Sequence, residues 1–136
     1  MGRKTWDSIP DKFKPLSNRY NIILSNDDDY KTNQSAIYNI PGIRFTTWNE
    51  LFKSEYIEIE KEIKTILEAD NKTIPIRIEY YIIGGETIYR QAITSNLNLI
   101  IHATEIYTTN DNPIECDTFF PKIENQIITN ISPFHK

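Results

Sequence analysis

A buried apolar run that ends in two glycines and leads directly into a helix pattern constrains this chain most. Residues 76–83 are nearly all apolar toward their end, Gly84-Gly85 interrupts the run, and residues 86–93 have a helical pattern. Such a run predicts a strand buried on both faces, as in parallel sheets covered by helices. The helix N-terminus presents free N–H groups and glycine allows close approach, so the turn suits a phosphate. A tight turn without a ligand explains this segment alone equally well.

Strand and helix patterns alternate along the rest of the chain. Strands are predicted at residues 20–25, 43–47, 76–84, 97–107 and 126–131. Helices are predicted from Gly2 to the residue before Pro10, at residues 48–53 after Thr47 as N-cap, at 56–69 and at 86–93. The acidic residues 26–31 are predicted to form a solvated loop. Strands that alternate with helices predict an α/β domain with a largely parallel sheet.

Length and composition exclude several classes of protein. The 136 residues fit one domain, and the 12% aromatic content argues against disorder. A net charge of −4 argues against a nucleic-acid-binding domain, and no apolar run approaches the roughly 18 residues of a membrane helix. Cys116 is the single cysteine, so we expect no internal disulfide and a location in a reducing compartment such as the cytoplasm. His102 and His135 lie far apart without a second cysteine, which excludes a zinc site of the usual kind.

Two further motifs carry positive charge. Gly2-Arg3-Lys4-Thr5 opens a predicted helix, and its cations and hydroxyl suit a pyrophosphate or a 2′-phosphate. In isolation, a basic solvated terminus is the commoner explanation of such a motif. Arg19 follows the apolar Pro15-Leu16 and precedes a strand, where its guanidinium suits a carboxylate. An arginine in such a loop is more often a surface charge.

Taken together and in order, these motifs resemble the dihydrofolate reductase family. The matching residues are Met1-Gly2-Arg3-Lys4-Thr5-Trp6, Ser8-Ile9-Pro10, Pro15-Leu16, Arg19, Asn21, Leu24-Ser25, Ile83-Gly84-Gly85, Ile88-Tyr89 and Cys116-Asp117-Thr118-Phe119-Phe120-Pro121. The loop at residues 12–19 is most similar to protozoan chains that fuse this reductase to thymidylate synthase. The resemblance covers nearly the whole chain and is weak at residues 26–40 and 54–73.

The resemblance implies a fold and an activity. We expect one partial domain over residues 1–136, with a three-layer α/β fold, a mostly parallel central sheet, flanking helices, and both ends incomplete. The implied reaction is hydride transfer from NADPH to dihydrofolate, giving tetrahydrofolate for one-carbon and thymidylate metabolism. Thymidylate synthase is the implied partner by fusion or association. We do not expect the chain to bind nucleic acid, a membrane or a metal ion.

The resemblance also assigns the site residues. Positions that match the family's cofactor contacts are Arg3, Lys4, Thr5, Leu24, Ser25, Gly84, Gly85, Glu86, Thr87 and Ile88. Positions that match its substrate contacts are Ile9, Pro10, Leu16, Arg19, Ile83, Tyr89 and Thr118. In the family, the bond between the two glycines is cis and the arginine clamps the glutamate carboxylate. Asn26 departs from the Arg or Ser common at its position, which weakens the case for NADPH over NADH.

The family's catalytic acid has no counterpart in this chain. That acid lies on a helix before the Met-Gly-Arg-Lys-Thr-Trp motif, and Thr118 matches the hydroxyl that supports it. Phe119-Phe120-Pro121 is expected to anchor in the core and to position Thr118. The sequence therefore predicts a fragment, or a gene model begun at an internal Met, that is inactive without the upstream segment.

The upstream segment also matters for the sheet. In the family it contributes the strand between those matching residues 76–83 and 97–107, so without it these two runs lack a partner. Two alternatives to the reductase stay open: an inactive nucleotide-binding remnant, and the related reductase of riboflavin synthesis. The latter is expected to lack the Ser8-Ile9-Pro10, Pro15-Leu16 and Arg19 motifs, so it ranks well below.

Overall fold

The computed structural model describes residues 1–74, 77–104, 106 and 114–123. Its helices are α1 (Arg3–Ser8), α2 (Asp28–Ile37), α3 (Trp48–Glu50), α4 (Tyr56–Ala69) and α5 (Glu86–Thr94), and its strands are β1 (Asn21–Leu24) and β2 (Ile43–Thr46). A 3-10 turn spans Asp11–Phe13, and a π-helical stretch at Leu51–Glu55 joins α3 to α4. Among the described residues, none of the helices is long and apolar enough to cross a bilayer.

The sheet is parallel and open. β1 pairs with β2 in a register that places Asn21 opposite Ile43 and Leu24 opposite Thr46. On the other side of β1, Gly2 forms a parallel bridge with Leu24, and the Leu24 amide donates to the Met1 carbonyl oxygen at 2.8 Å. The chain before α1 therefore lies beside β1 as a third extended segment.

Two apolar clusters lie on opposite faces of this sheet, because adjacent residues of a strand point to opposite sides. Ile23 packs with Trp6 and Ile43 on the face that carries α1 and α2. Leu24 packs with Ile59 and Ile88 on the face that carries α4 and α5. Helices on both faces of a parallel sheet confirm the predicted α/β fold class.

Local signals set several helix boundaries correctly. The predicted helix at residues 56–69 is α4, with the same bounds. Thr47 is the N-cap of α3, as predicted, since its hydroxyl accepts from the Glu50 amide and the Glu50 carboxylate accepts from the Thr47 amide. This reciprocal arrangement is a capping box, which satisfies two backbone donors at once.

The prediction of a solvated acidic loop at residues 26–31 is wrong, because the helix α2 begins at Asp28. The Asp27 carboxylate accepts a hydrogen bond from the Tyr30 amide at 2.9 Å and caps the helix. Asp28 and Asp29 occupy the first turn, where negative charge is favourable beside the positive end of the helix dipole. Tyr30 and Tyr38 then pack against the cluster around Trp6, so tertiary contacts support the helix.

The two long apolar runs do not form strands in the described residues. No strand is assigned within residues 77–83 or 97–104, and Tyr81 and Ile100 are 70% and 85% exposed. A strand is stabilised by the ladder that it forms with a neighbour, and within the described ranges no segment pairs with either run. The strand predicted at residues 126–131 lies outside the described residues.

Candidate functional site

The two glycine-led turns meet in the structure. The Gly2 amide donates to the Gly84 carbonyl oxygen at 2.7 Å. A Cβ at Gly2 would lie 3.0 Å from Cγ1 of Ile88 and 3.6 Å from the Gly85 nitrogen, so only glycine fits there without a shift. The Gly84–Gly85 peptide bond is cis, as the resemblance implies, and Gly84 has a φ of +112°.

The N-terminus of α5 opens directly after this turn. Gly85 is its N-cap, and its carbonyl oxygen accepts from the amides of Ile88 and Tyr89 at 3.0 Å. The amides of Glu86 and Thr87 have no acceptor among the described residues. Such free donors at a helix start, together with the helix dipole, favour an anionic ligand.

A cavity of about 250 Å³ lies against the double-glycine turn. Its lining brings together seven of the predicted site residues and two phenylalanines: Thr5, Ile83, Gly84, Gly85, Glu86, Tyr89, Thr118, Phe119 and Phe120. Thr5 Oγ1 faces both glycines, 3.3–3.5 Å from where their Cβ atoms would be. Three distant parts of the chain therefore share one concave surface.

Phe119 and Phe120 do not anchor in the core, which corrects that part of the prediction. Their side chains are 69% and 47% exposed, and Pro121 is the buried member of the motif. The Phe120 ring lies 4.9 Å from the Tyr89 ring, centre to centre, and both rings line the cavity. Neighbouring Thr118 donates its hydroxyl to the Asp117 carboxylate at 3.1 Å. The sequence signal for these two cavity-lining phenylalanines was their position directly after Thr118 in the motif.

The basic start of α1 lies at the end of β1. Arg3 Nη1 is 2.7 Å from Oδ2 of Asp27, and its guanidinium carbon lies 5.1 Å from the centre of the Tyr30 ring. The Asp27 amide in turn donates to Ser25 Oγ at 3.1 Å. The pKa of Asp27 lies below its usual value, first because the Tyr30 amide donates to its carboxylate and also because Arg3 is close. Lys4 is exposed and forms no ion pair within the described ranges.

The predicted substrate residues are more dispersed. Ile9 and Leu16 are partly buried against the cluster around Trp6, whereas Pro10 is exposed. Arg19 is exposed, donates from Nε to the Ser17 carbonyl oxygen at 2.9 Å, and does not line the cavity. The structure therefore joins the two glycine turns but leaves Arg19 apart from them.

The Asn21 side chain organises the loop that carries Arg19. It accepts from the Leu16 amide at 3.0 Å and donates to the carbonyl oxygens of Leu16 and Arg19. Asn21 is 2% exposed, so a loss of these bonds would leave a buried polar group unpaired. Sequence reasoning noted Asn21 only as a motif residue, although a polar residue at the start of an apolar strand is a signal for this role.

A second, larger cavity of about 490 Å³ contains none of the predicted site residues. It lies at the outer edge of β2, and its lining includes Ser35, Phe45 and Glu62. In the described part of the chain, no group of three His, Cys, Asp or Glu side chains is placed to hold a metal ion.

Comparison with known proteins decides the family. The family model for dihydrofolate reductase matches residues 1–44 and 45–133 of this chain. The chain belongs to the dihydrofolate reductase family. Among curated relatives of this chain, the dihydrofolate reductase of Heliothis virescens is 38% identical over 128 residues, which are 93% of this chain and 56% of the relative. No solved structure matches the chain significantly.

Two more relatives of this member of the dihydrofolate reductase family differ in the share of their length that the chain covers. The dihydrofolate reductase of Encephalitozoon cuniculi is 35% identical over 124 residues, 91% of this chain and 46% of the relative. The bifunctional dihydrofolate reductase-thymidylate synthase of Plasmodium chabaudi is 34% identical over 139 residues, 97% of this chain and 19% of the relative. The chain thus spans about half the length of the monofunctional relatives that it matches.

Proposed function

We propose that this chain carries the dinucleotide-binding part of an enzyme that reduces dihydrofolate to tetrahydrofolate with NADPH. The observation that carries the proposal is the meeting of Gly2 with the Gly84-Gly85 turn, beside a cavity lined by seven predicted site residues. When bound, the cofactor supplies the hydride. The protein's own residues bind and orient the two reactants.

The pyrophosphate fits the double-glycine turn. The free amides of Glu86 and Thr87 donate toward an anion at the α5 N-terminus, where a side chain at Gly85 would crowd Thr5. The Thr5 hydroxyl adds a further donor. The aromatic wall of Tyr89 and Phe120 suits flat rings, and Ile83 offers its carbonyl oxygen to the pterin. Ile9, Pro10 and Leu16 form the proposed apolar contacts of the substrate, Arg19 its carboxylate clamp, and Thr118 a supporting hydroxyl.

The reduction also needs a proton, and the described lining of this cavity offers no unpaired carboxylate to supply it. Among the described residues, Glu86 is the only carboxylate that lines the cavity, and its Oε1 is 2.6 Å from Nη2 of Arg90. We propose that the proton comes from an Asp or Glu on a segment preceding Met1 in the sequence.

An inactive nucleotide-binding remnant is the second candidate function. The lack of an unpaired carboxylate in the described lining of the cavity favours it. It shares the proposed pyrophosphate contacts and differs only in the absence of turnover. The riboflavin-pathway reductase is the weaker alternative, since Ser8-Ile9-Pro10, Pro15-Leu16 and Arg19 are all present.

The proposed cellular compartment follows from Cys116, and the proposed protein partner follows from the relatives of the chain. Cys116 is a free and exposed thiol, which suits a reducing compartment, and we propose the cytoplasm. Thymidylate synthase is the proposed partner, because relatives such as the Plasmodium chabaudi protein carry it by name.

The proposal is tested by NADPH binding and turnover. Calorimetry measures binding to the 136-residue chain, and the loss of NADPH absorbance with dihydrofolate measures turnover by this chain and by one extended with the residues encoded upstream. Thr5→Val is expected to weaken NADPH binding, because it removes the hydroxyl at the two glycines, whereas Thr32→Val on the exposed face of α2 is the matched control. Binding without turnover by either chain would support the remnant, and no binding by a folded chain would remove both functions.

A further inference from the structure

We propose that Asp27 relaxes the selectivity of this site for a 2′-phosphorylated dinucleotide, so that NADH binds within about tenfold of NADPH. The inference rests on the proposed dinucleotide site and concerns its adenosine end. Asp27 was not among the predicted site residues. Its role follows from what it does to Arg3, the cation expected to hold a phosphate.

The Arg3 guanidinium is already engaged on two sides. Nη1 forms an ion pair with Asp27 Oδ2 at 2.7 Å, and the guanidinium carbon lies 5.1 Å from the centre of the Tyr30 ring. Arginine binds phosphate best through two parallel N–H bonds. A 2′-phosphate that binds in this two-bond manner through Nη1 would therefore have to compete with the Asp27 carboxylate for that nitrogen.

The Asp27 carboxylate is held firmly in this position. Its Oδ1 accepts from the Tyr30 amide at 2.9 Å as the N-cap of α2, while the Asp27 amide donates to Ser25 Oγ at 3.1 Å. The low pKa of Asp27, caused first by the Tyr30 amide, keeps it charged at neutral pH. The cap uses Oδ1 and the ion pair uses Oδ2, so the helix cap holds the carboxylate where Arg3 reaches it.

The location of the pair fits a role in nucleotide selection. Asp27 follows β1 by three residues, and the carboxyl ends of parallel strands are where dinucleotides bind in open α/β sheets. An acidic residue beyond such a strand suits a ribose 2′-hydroxyl, whereas an arginine accommodates a 2′-phosphate. Here the acid and the arginine bind each other, which weakens the attraction of this site for the 2′-phosphate.

The neighbouring charges do not restore an excess of positive charge. Three cations and four carboxylates lie on α1, on α2 and at the α2 N-cap: Arg3, Lys4 and Lys31 against Asp7, Asp27, Asp28 and Asp29. Lys31 Nζ is 2.9 Å from Asp28. Lys4 alone of the three cations lacks an ion pair in the described part of the chain. One exposed lysine offers a single screened charge to a 2′-phosphate dianion.

The test compares ligands that differ only in the 2′-phosphate. Calorimetry on the 136-residue chain at fixed salt measures NADPH against NADH, and adenosine 2′,5′-bisphosphate against 5′-AMP. The wild-type chain is expected to show less than about tenfold preference within each pair. Asp27→Asn frees Arg3 and keeps an N-cap residue, so it is expected to strengthen binding of the 2′-phosphorylated ligands by about tenfold or more and to leave 5′-AMP unchanged.

Asp29→Asn is the matched control. Like Asp27→Asn, it removes one negative charge near the start of α2, but Asp29 forms no hydrogen bond with Arg3. Equal gains from Asp27→Asn and Asp29→Asn would show a general field effect and would overturn the proposal. A wild-type preference of about a hundredfold for the 2′-phosphate would overturn it as well. A folded chain, judged by circular dichroism, that binds none of the four ligands would contradict the dinucleotide site itself, which is a distinct result.

Discussion

The Gly2 amide donates a 2.7 Å hydrogen bond to the Gly84 carbonyl oxygen and so ties the residue before α1 to the turn before α5. The same short segment bridges to Leu24 at the end of β1. One glycine thus connects the sheet, the basic helix start and the double-glycine turn. Its lack of a side chain permits the approach, since a Cβ would meet Ile88 at 3.0 Å.

Replacement of Gly2 by alanine is expected to loosen this junction. The new methyl group would press on Ile88 Cγ1, and overpacking of this kind costs about 1–3 kcal/mol. Thermal unfolding is expected to show the loss of stability, and calorimetry a weaker affinity for NADPH. Ile88→Ala removes the clashing atom, so the double variant Gly2→Ala/Ile88→Ala should lose less than the sum of the two single changes. If the loss in the double variant equalled the sum of the two single losses, the close approach of Gly2 to Ile88 would be contradicted.

Replacement of Thr47 by alanine is expected to destabilise the chain by about 1 kcal/mol. The Thr47 hydroxyl accepts from the Glu50 amide at 3.1 Å, and no other cap is present at the start of α3 among the described residues. Urea unfolding measures the change. Thr32→Ala on exposed α2 is the control with the same atoms removed, and an equal loss there would argue against the capping box.

The Tyr20 hydroxyl is expected to couple stability to alkaline pH. It donates to the Glu62 carboxylate at 2.5 Å, and burial followed by that contact raises the pKa of Tyr20 to about 12 from its usual 10.0. Because the folded pKa is the higher one, this contribution is present below pH 10 and is lost as the pH rises toward 12.

Tyr20→Phe tests this coupling. At neutral pH it should lower the free energy of unfolding by about 1 kcal/mol, and it should flatten the loss of stability between pH 10 and pH 12. Unfolding measured across that window provides the comparison. Tyr56→Phe is the control, because the hydroxyl of this exposed residue has no bonded partner in the described ranges. A wild-type pH profile that survives Tyr20→Phe unchanged would contradict the role of Tyr20.

Replacement of Arg19 by leucine is expected to weaken binding of dihydrofolate by about tenfold or more, with little change for NADPH. Arg19 uses Nε on the Ser17 carbonyl oxygen and forms no ion pair in the described part of the chain, so its terminal nitrogens are free for a carboxylate. Binding constants for dihydrofolate and for a pterin without the glutamate provide the measurement. Arg77→Leu at an exposed ion pair is the control. Equal losses for both ligands would refute the carboxylate clamp.

Patterns among residues that are close in the sequence predicted the corresponding local structures correctly. The helical spacing of the apolar residues 63, 66 and 67 in α4, the Thr47 cap and the Gly84-Gly85 turn all involve residues within about one helical turn of each other. The start of α2 at Asp28 and its cap at Asp27 were missed, although their signal was also local. An acidic run was interpreted as a solvated loop, while the carboxylate instead caps a helix whose tyrosines pack on the core.

The sequence by itself determined the family, the α/β class and the residues of the double-glycine turn, because ordered motifs and apolar periodicity are written in the chain. Only the tertiary structure decided that Gly2 contacts Gly84 and that Arg3 is paired with Asp27. Hydrogen bonds and ion pairs between distant residues depend on how the elements pack, and no local pattern specifies that distance.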